Sequence, residues 1–501
     1  MCLSRRTLLV TRLFLTCLAL ALLRGIASVQ DAGANAKPPT LFLIGDSTVR
    51  NGSGDGANKP HTTLAGAELN AACVISGLKA LKPDLLAYYY SGKAATVDAA
   101  NVSASRMIYR FEFGRGKVGP TVVQPDTTYS KARGYGFELG FRPLRLNDSV
   151  TNVRPFFFSV ALREGNYNVT ITFGDSEDET ETTVKAELRR LVLEKVETAF
   201  GEFVTRTFTV NVRTPQISGG GEVKLKDREK TIEAWAWDEK LTLEFNGESP
   251  TVSAIEITPA EAPTIFLLGD STVCDQPQES YSSWGQMLPR FFGPGVAVAN
   301  HAESGESLRS SLGARRLDKV LSLIKPGDYL FIQYGHNDQK EKGEGVGAFT
   351  TYKADLKMFV AETRKRGATP VLLTSVNRRN FNGQGQVYNT LGDYPEAVRQ
   401  VAGEEKVALI DLNAMSKAFY EALGPEESAL AFEEGDSAHH NNYGAYELAR
   451  CVVEGIKANN LNIAKFLAKD VTGFDPRYPD PHENFKIPAS PPRSEVKPPG
   501  N

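Results

Sequence analysis

Four short blocks in the C-terminal half carry the side chains that acyl transfer needs. Leu268-Gly269-Asp270-Ser271-Thr272 closes an apolar run and puts a serine at the carboxyl end of a predicted strand, where open α/β sheets build their sites. Asn300-His301-Ala302-Glu303-Ser304-Gly305-Glu306-Ser307 follows a second apolar run, and Gln333-Tyr334-Gly335-His336-Asn337-Asp338 follows a third. Asp436-Ser437-Ala438-His439-His440-Asn441-Asn442-Tyr443-Gly444 leads into a C-terminal helical pattern. A serine hydroxyl is a weak nucleophile until a base takes its proton, and the tetrahedral intermediate needs donors for its oxyanion. Together the blocks offer a nucleophile, oxyanion donors and a carboxylate–imidazole pair. Alone each is ordinary, since Gly-Asp-Ser is a common turn and Asp-x-x-His often opens a helix. Their order and their places at element ends make the signal.

Regular elements must hold these blocks at one edge of a sheet. From Pro263 to about Leu467 the pattern alternates strand, loop and helix. Apolar runs predict strands at Thr264–Gly269, Val296–Asn300, Tyr329–Tyr334, Thr369–Ser375 and Val407–Asp411, with helices at Tyr352–Arg366 and Tyr394–Ala402. That rhythm predicts a parallel sheet with helices on both faces. From about Met107 to Ile257 the period is two instead, as in Tyr109-Arg110-Phe111-Glu112-Phe113, Tyr167–Phe173 and Leu241–Phe245, with further strands at Leu188–Val196 and Thr205–Val212. Short alternating runs separated by turn residues predict an antiparallel β-sandwich. At 501 residues the chain exceeds one core. The expected division is a leader at 1–28, a linker at 29–104, the sandwich at 105–260, the α/β domain at 261–470 and a Pro-rich, loosely packed tail at 471–501.

The four blocks, in this order across Pro263 to Leu467, resemble the SGNH hydrolases, also called the GDSL family. The resemblance implies a flavodoxin-like, three-layer α/β domain. It implies Ser271 as nucleophile and first oxyanion donor through its N–H, with the Gly305 N–H and the Asn337 side-chain amide as the other donors. His439 is the implied base, oriented by Asp436. No metal and no organic cofactor enters that chemistry. His439 stands three residues after Asp436 and five before Gly444, as the family's Asp-x-x-His block requires, and His440 is the competing neighbour. His336 is expected in a structural or substrate-contact role, and His301 as a loop histidine satisfied by hydrogen bonds. Cys274, three residues after Ser271, competes as a nucleophile with the alternative of a small packed residue beside the turn.

Within that family the resemblance is closer to rhamnogalacturonan acetylesterases. It is carried by Gly269–Val273, Tyr281-Ser282-Ser283-Trp284-Gly285, Ser304–Ser310, Gln333–Asp338 and Gly392-Asp393-Tyr394-Pro395. The implied partner is an acetylated, pectin-like polysaccharide. Arg309, Arg378 and Arg379 would suit its carboxylates, because guanidinium forks match them; surface salt bridges are the alternative for Arg378 and Arg379. The sandwich, through Phe111–Val118 and Tyr129–Gly136, resembles a galactose-binding-type module. Trp235 and Trp237 are its candidates for stacking on sugar, against packing of at least one in the core.

Gly-Asp-Ser-Thr-Val also occurs at Gly45–Val49, but His61 is the only histidine between Ser47 and Thr264, and no Asp precedes it at three. Ser47 is therefore expected to be catalytically silent. A net charge of -3 without a long basic run gives nucleic-acid binding little support. Arg5, Arg6 and Arg12 before apolar Leu13–Leu23 read as an export signal, cleaved after Ala27 or Ala36, which places the protein outside the cell or in a periplasm with no membrane attachment. Cys73, Cys274 and Cys451 would remain after cleavage, an odd set with no Cys-x-x-Cys spacing. The sequence thus predicts a secreted carbohydrate O-deacetylase. An esterase acting on another glycan, a lipid or a thioester is the first alternative, and a non-catalytic carbohydrate-binding protein the second.

Overall fold

The computed structural model describes residues 108–114, 121–145 and 149–492. The leader, Ser47 with its pentapeptide, His61 and Arg115–Val118 lie outside them. Among the described residues thirteen strands precede the Ser271 block: β1 (Tyr109–Phe113), β2 (Thr121–Val123), β3 (Tyr135–Phe137), β4 (Leu144–Arg145), β5 (Val150–Thr151), β6 (Phe156–Ala161), β7 (Gly165–Phe173), β8 (Thr180–Ala186), β9 (Arg190–Thr198), β10 (Val204–Val212), β11 (Lys240–Ser249), β12 (Thr251–Val252) and β13 (Ala254–Pro259). They form two five-stranded sheets, ordered β10-β7-β13-β1-β2 and β3-β6-β11-β8-β9, and a small β12-β5-β4 sheet. Period-two alternation sends Val169, Ile171 and Phe173 of β7 into one core with Phe156, Phe158 and Val160 of β6. Phe158 meets Phe111 and Phe113 edge-on at 5.0 and 5.2 Å, the geometry that ring quadrupoles favour. Pairing is antiparallel except for β1 with β2, which run parallel.

The next five strands, β14 (Thr264–Gly269), β15 (Ala297–Asn300), β16 (Tyr329–Gln333), β17 (Thr369–Leu373) and β18 (Ala408–Ile410), match the runs expected from sequence. All pair in parallel, in the order β15-β14-β16-β17-β18. Counted from β14 this is 2-1-3-4-5, the flavodoxin-like order whose chain direction reverses beside its first strand. Helices α1 (Trp284–Met287), α2 (Leu308–Gly313), α3 (Arg316–Leu323), α4 (Lys353–Lys365), α5 (Tyr394–Glu405), α6 (Leu412–Glu427) and α7 (Asn442–Ala458) flank it. Ile265 and Leu267 of β14 face α1, α6 and α7, whereas Phe266 and Leu268 face α2 to α5. Alternate residues thus fill two apolar layers, and the sheet is buried on both faces. Among the described residues no helix is long and apolar enough to cross a membrane.

Sandwich and α/β layers share packing. Leu191 of β9 sits in the α1–α7 core. Arg190 Nε lies 2.7 Å from Asp275 Oδ2, with both side chains buried. Gln286 of α1 donates to the Leu188 carbonyl at 2.8 Å.

One open alternative is decided and one expectation needs correction. Trp235 lies in a short 3₁₀ turn, Ala234–Ala236, with Trp237 directly after it, and both are buried, which favours packing over stacking on sugar. Trp235 packs edge-on against Phe157 and Trp237 lies beneath the Arg213 guanidinium at 4.5 Å, so neither presents a ring to a sugar. The segment 471–492 is packed, not loose: Phe485 and Ile487 join the core, Tyr443 Oη donates to the Asp480 carbonyl at 2.6 Å, and Ser490 Oγ donates to Glu244 at 2.9 Å.

Candidate active site

Ser271 follows β14 directly, in a turn that only glycine can enter. A Cβ on Gly269 would sit 2.7 Å from the Gln333 carbonyl oxygen of β16 and 2.6 Å from Val273 Cγ2. Asp270 is buried, and its Oδ1 accepts from the Thr272 N–H at 3.0 Å and the Thr272 hydroxyl at 2.8 Å, which closes the turn. Ser271 therefore emerges at the carboxyl edge, where the strand order reverses.

His439 and Asp436 arrive on the loop that enters α7. His439 Nε2 is 2.9 Å from Ser271 Oγ, and His439 Nδ1 is 2.7 Å from Asp436 Oδ2. Asp436 Oδ1 accepts from the N–H groups of Ala438 and His439 at 2.7 and 3.1 Å. Burial alone would raise the Asp436 carboxyl; the Ala438 N–H and the His439 ring and N–H outweigh it and hold the group below its usual value. The loop is pinned on both sides, by Arg379 N–H to the Ser437 carbonyl at 2.7 Å and by Ser282 N–H to the His440 carbonyl at 2.8 Å.

The loops that carry the expected oxyanion donors are joined to this turn and to each other by hydrogen bonds. Gln276 Nε2 donates to the Ser271 carbonyl at 2.8 Å, and Cys274 Sγ lies 3.2 Å from Ser304 Oγ, so the Ser271 and Gly305 turns are coupled. Gly305 has φ +77, in the left-handed region that favours glycine. Asn337, after β16, donates one amide hydrogen to the Glu306 carbonyl at 3.0 Å, and its Oδ1 accepts from Lys340 at 2.9 Å. Among the described residues no hydrogen bond uses the N–H of Ser271 or of Gly305.

The competing side chains are sequestered. His440 is buried, within 2.7 Å of the Tyr420 hydroxyl and against the Phe432 ring; burial, then its neighbour histidines, pushes it down to about 3. His336 is buried with Nε2 3.0 Å from the Val376 carbonyl. His301 does not find the hydrogen bonds expected of it: it packs against Trp237 and Phe266, both ring nitrogens lack partners, and burial holds it well below the usual imidazole range. The Cys274 thiol is pushed up by burial and then by Glu303, so it stays protonated.

The three arginines divide. Arg309 is exposed and 3.4 Å from Asp355. Arg378 donates to the Thr390 carbonyl and hydroxyl; the Arg379 side chain donates to the Pro425 carbonyl at 3.0 Å, and it is the Arg379 backbone N–H that pins the base loop. Tyr281, not singled out beforehand, is exposed and edge-on to His439 at 5.8 Å; its block Tyr281-Ser282-Ser283-Trp284 was the available signal. Arg189, in the β8–β9 turn of the sandwich, holds the Gln276 and Tyr281 carbonyls at 3.0 and 2.9 Å.

A buried carboxylate cluster, Glu229, Glu233 and Glu303, brings oxygens within 4.8 Å of one another. Its chemistry suits protons and guanidinium more than a metal ion. Arg316 Nη2 donates to Glu229 at 2.7 Å and Arg228 pairs with Glu303, while Glu233 is pushed up to about 9, chiefly by burial and then by Glu303.

The GDSL-like Lipase/Acylhydrolase family model matches residues 267–445. Rhamnogalacturonan acetylesterase RhgT of Bacillus subtilis (strain 168) is 41% identical over 218 residues, covering 40% of this chain and 93% of that protein. The chain belongs to the GDSL-like lipase/acylhydrolase family. This acylhydrolase is a carboxylic-ester hydrolase, and it is also similar to two other proteins of the same bacterium. Probable rhamnogalacturonan acetylesterase YesY is 38% identical over 213 residues, 41% of this chain and 98% of that one. Uncharacterized esterase YxiM is 28% identical over 382 residues, 72% of the acylhydrolase and 94% of that relative.

Proposed function

We propose that this acylhydrolase removes O-acetyl groups from a pectic rhamnogalacturonan through an acetyl-enzyme on Ser271. The observation that carries the reading is the continuous Ser271–His439–Asp436 chain, with its 2.9 and 2.7 Å links. Ser271 Oγ attacks the acetyl carbonyl while His439 Nε2 takes its proton, and Asp436 holds Nδ1–H and steadies the imidazolium. Charge on the carbonyl oxygen goes to the N–H groups of Ser271 and Gly305 and to the second amide hydrogen of Asn337, each donor of this kind contributing roughly 2.7–4 kcal/mol. As the intermediate collapses and the acyl C–O bond breaks, His439 gives its proton to the departing sugar oxygen, which leaves as a hydroxyl. Water attacks the acetyl-enzyme with His439 again as base, releasing acetate and restoring Ser271.

The substrate class is supported by the relatives named above and by the polar surroundings of the site. Arg309 and Arg378 are the proposed contacts for galacturonate carboxylates, and Tyr281 a wall for the sugar beside His439. Export through the segment 1–28 would bring the enzyme to an extracellular polysaccharide.

Acetate release from acetylated rhamnogalacturonan, beside acetylated xylan and a long-chain ester, tests this reading with Ser271→Ala as control. Preferential release from rhamnogalacturonan, abolished by the substitution, is expected. Preference for xylan or the lipid ester would discard the substrate class, and no Ser271-dependent release would favour the carbohydrate-binding alternative.

A further inference from the structure

The excursion between β10 and β11, residues 213–239, leaves the sandwich and grips the loop that carries Gly305. Lys226 Nζ donates to the Ser304 carbonyl oxygen at 2.6 Å, and Arg228 Nη2 donates to the same oxygen at 2.5 Å. Both cations are themselves held. Lys226 Nζ is 2.9 Å from Glu306 Oε1, and Arg228 pairs with Glu303. The excursion is anchored at its base by the Lys224 N–H on the Ala314 carbonyl at 2.9 Å and the Lys226 N–H on Glu229 at 2.8 Å. Glu229 in turn accepts from Arg316 at 2.7 Å, with both side chains fully buried.

The Ser304 C=O and the Gly305 N–H belong to one peptide plane, and in a trans peptide they point in opposite directions. Fixing the oxygen therefore aims the hydrogen. The plane needs fixing, because glycine tolerates both signs of φ and a residue without Cβ sets little barrier to rotation of the peptide before it. Two charge-assisted donors on one carbonyl are strong restraints. They also draw electron density toward the oxygen and so strengthen the N–H as a donor, as in any hydrogen-bonded chain.

We propose that Lys226 and Arg228 are positioning residues for acyl transfer, which hold and polarise the Ser304–Gly305 peptide so that the Gly305 N–H meets the oxyanion. The inference rests on the ester-hydrolase reading of Ser271, and it makes the sandwich a working part of the active site. Neither cation touches the acyl group; each acts through the peptide.

The test uses the full chain with 4-nitrophenyl acetate, counting intact sites by burst titration with a serine-reactive phosphonate. Lys226→Met and Arg228→Met are each expected to lower kcat per titrated site about 10- to 100-fold, less than loss of a whole oxyanion donor, with KM within about threefold. Lys226→Arg and Arg228→Lys should restore most of the turnover, because a cationic donor remains. A merely structural role would reduce the number of titratable sites and leave kcat per site unchanged, which would overturn the proposal. Should Arg228→Met not fold, Lys226→Met decides alone, since that side chain is 36% exposed. Wild-type protein without Ser271-dependent hydrolysis would overturn the function and this inference together; active wild type with fully titrating, unimpaired variants would overturn the inference alone.

Discussion

Two adjacent histidines at the end of the chain have opposite surroundings, and that contrast separates chemistry from packing. His439 bridges Ser271 and Asp436, while His440 fills a closed pocket between Tyr420 and Phe432. His439→Ala is expected to lower kcat roughly 10⁴–10⁶-fold with little change in thermal stability, since the base acts as a unit with the nucleophile. His440→Ala should do the reverse. It empties a buried ring site and removes one partner of the Tyr420 hydroxyl, for a loss on the order of 2–4 kcal/mol, with kcat reduced far less. Steady-state rates and thermal unfolding of both variants check this, and a larger rate loss in His440→Ala would reassign the base. The resemblance to the family's Asp-x-x-His block pointed to His439 in the sequence, because three residues from the acid is a local relation. It could not show that His301 lacks hydrogen bonds, which depends on rings distant in sequence.

At the scale of elements, the turn after β16 is tied to the start of α2 by one buried carboxylate. Asp338 Oδ1 accepts from the Leu308 N–H at 2.9 Å, while its Oδ2 has no partner. Burial pushes this carboxyl up to about 7, against the pull of the Leu308 N–H and with help from Asp270. A folded value above the ordinary 3.8 means that the protonated fold is favoured. That stability is fully present below about pH 4 and fades as pH rises through about 7. Asp338→Asn keeps the acceptor and cannot ionise, so its stability relative to wild type should rise by ~2–4 kcal/mol between pH 4 and pH 8. A difference that is flat with pH, in denaturant titrations at both values, would contradict this. The five parallel strands were legible because each is an apolar run of ordinary length closed by turn residues. The excursion at 213–239 was not: Lys224-Leu225-Lys226-Asp227-Arg228-Glu229-Lys230 looks like a solvated charge run. Its partners, Glu303, Ser304 and Glu306, lie some 75 residues further on.

At the largest scale, the described residues place a β-sandwich against the loops of a parallel α/β sheet, with ion pairs buried between them. Asp275 lies 2.7 Å from Arg190 Nε and accepts from Asn300 at 2.9 Å, with Arg213 at 3.5 Å. Removing a carboxylate that neutralises buried guanidinium groups leaves uncompensated charge. Asp275→Ala should therefore cost about 3–5 kcal/mol, and residues 106–492 should melt in one calorimetric transition because the two modules share core and charge. Two separate transitions would show that the sandwich is an independent appendage. The chain also carries two Gly-Asp-Ser-Thr-Val copies, and the one within the described residues has a base 2.9 Å from its serine. The most direct measurement is therefore peptide mapping of the full chain after labelling with a serine-reactive phosphonate. The account predicts a single adduct, on Ser271, formed in step with loss of esterase activity. An adduct on Ser47, or loss of activity with Ser271 unlabelled, would contradict it.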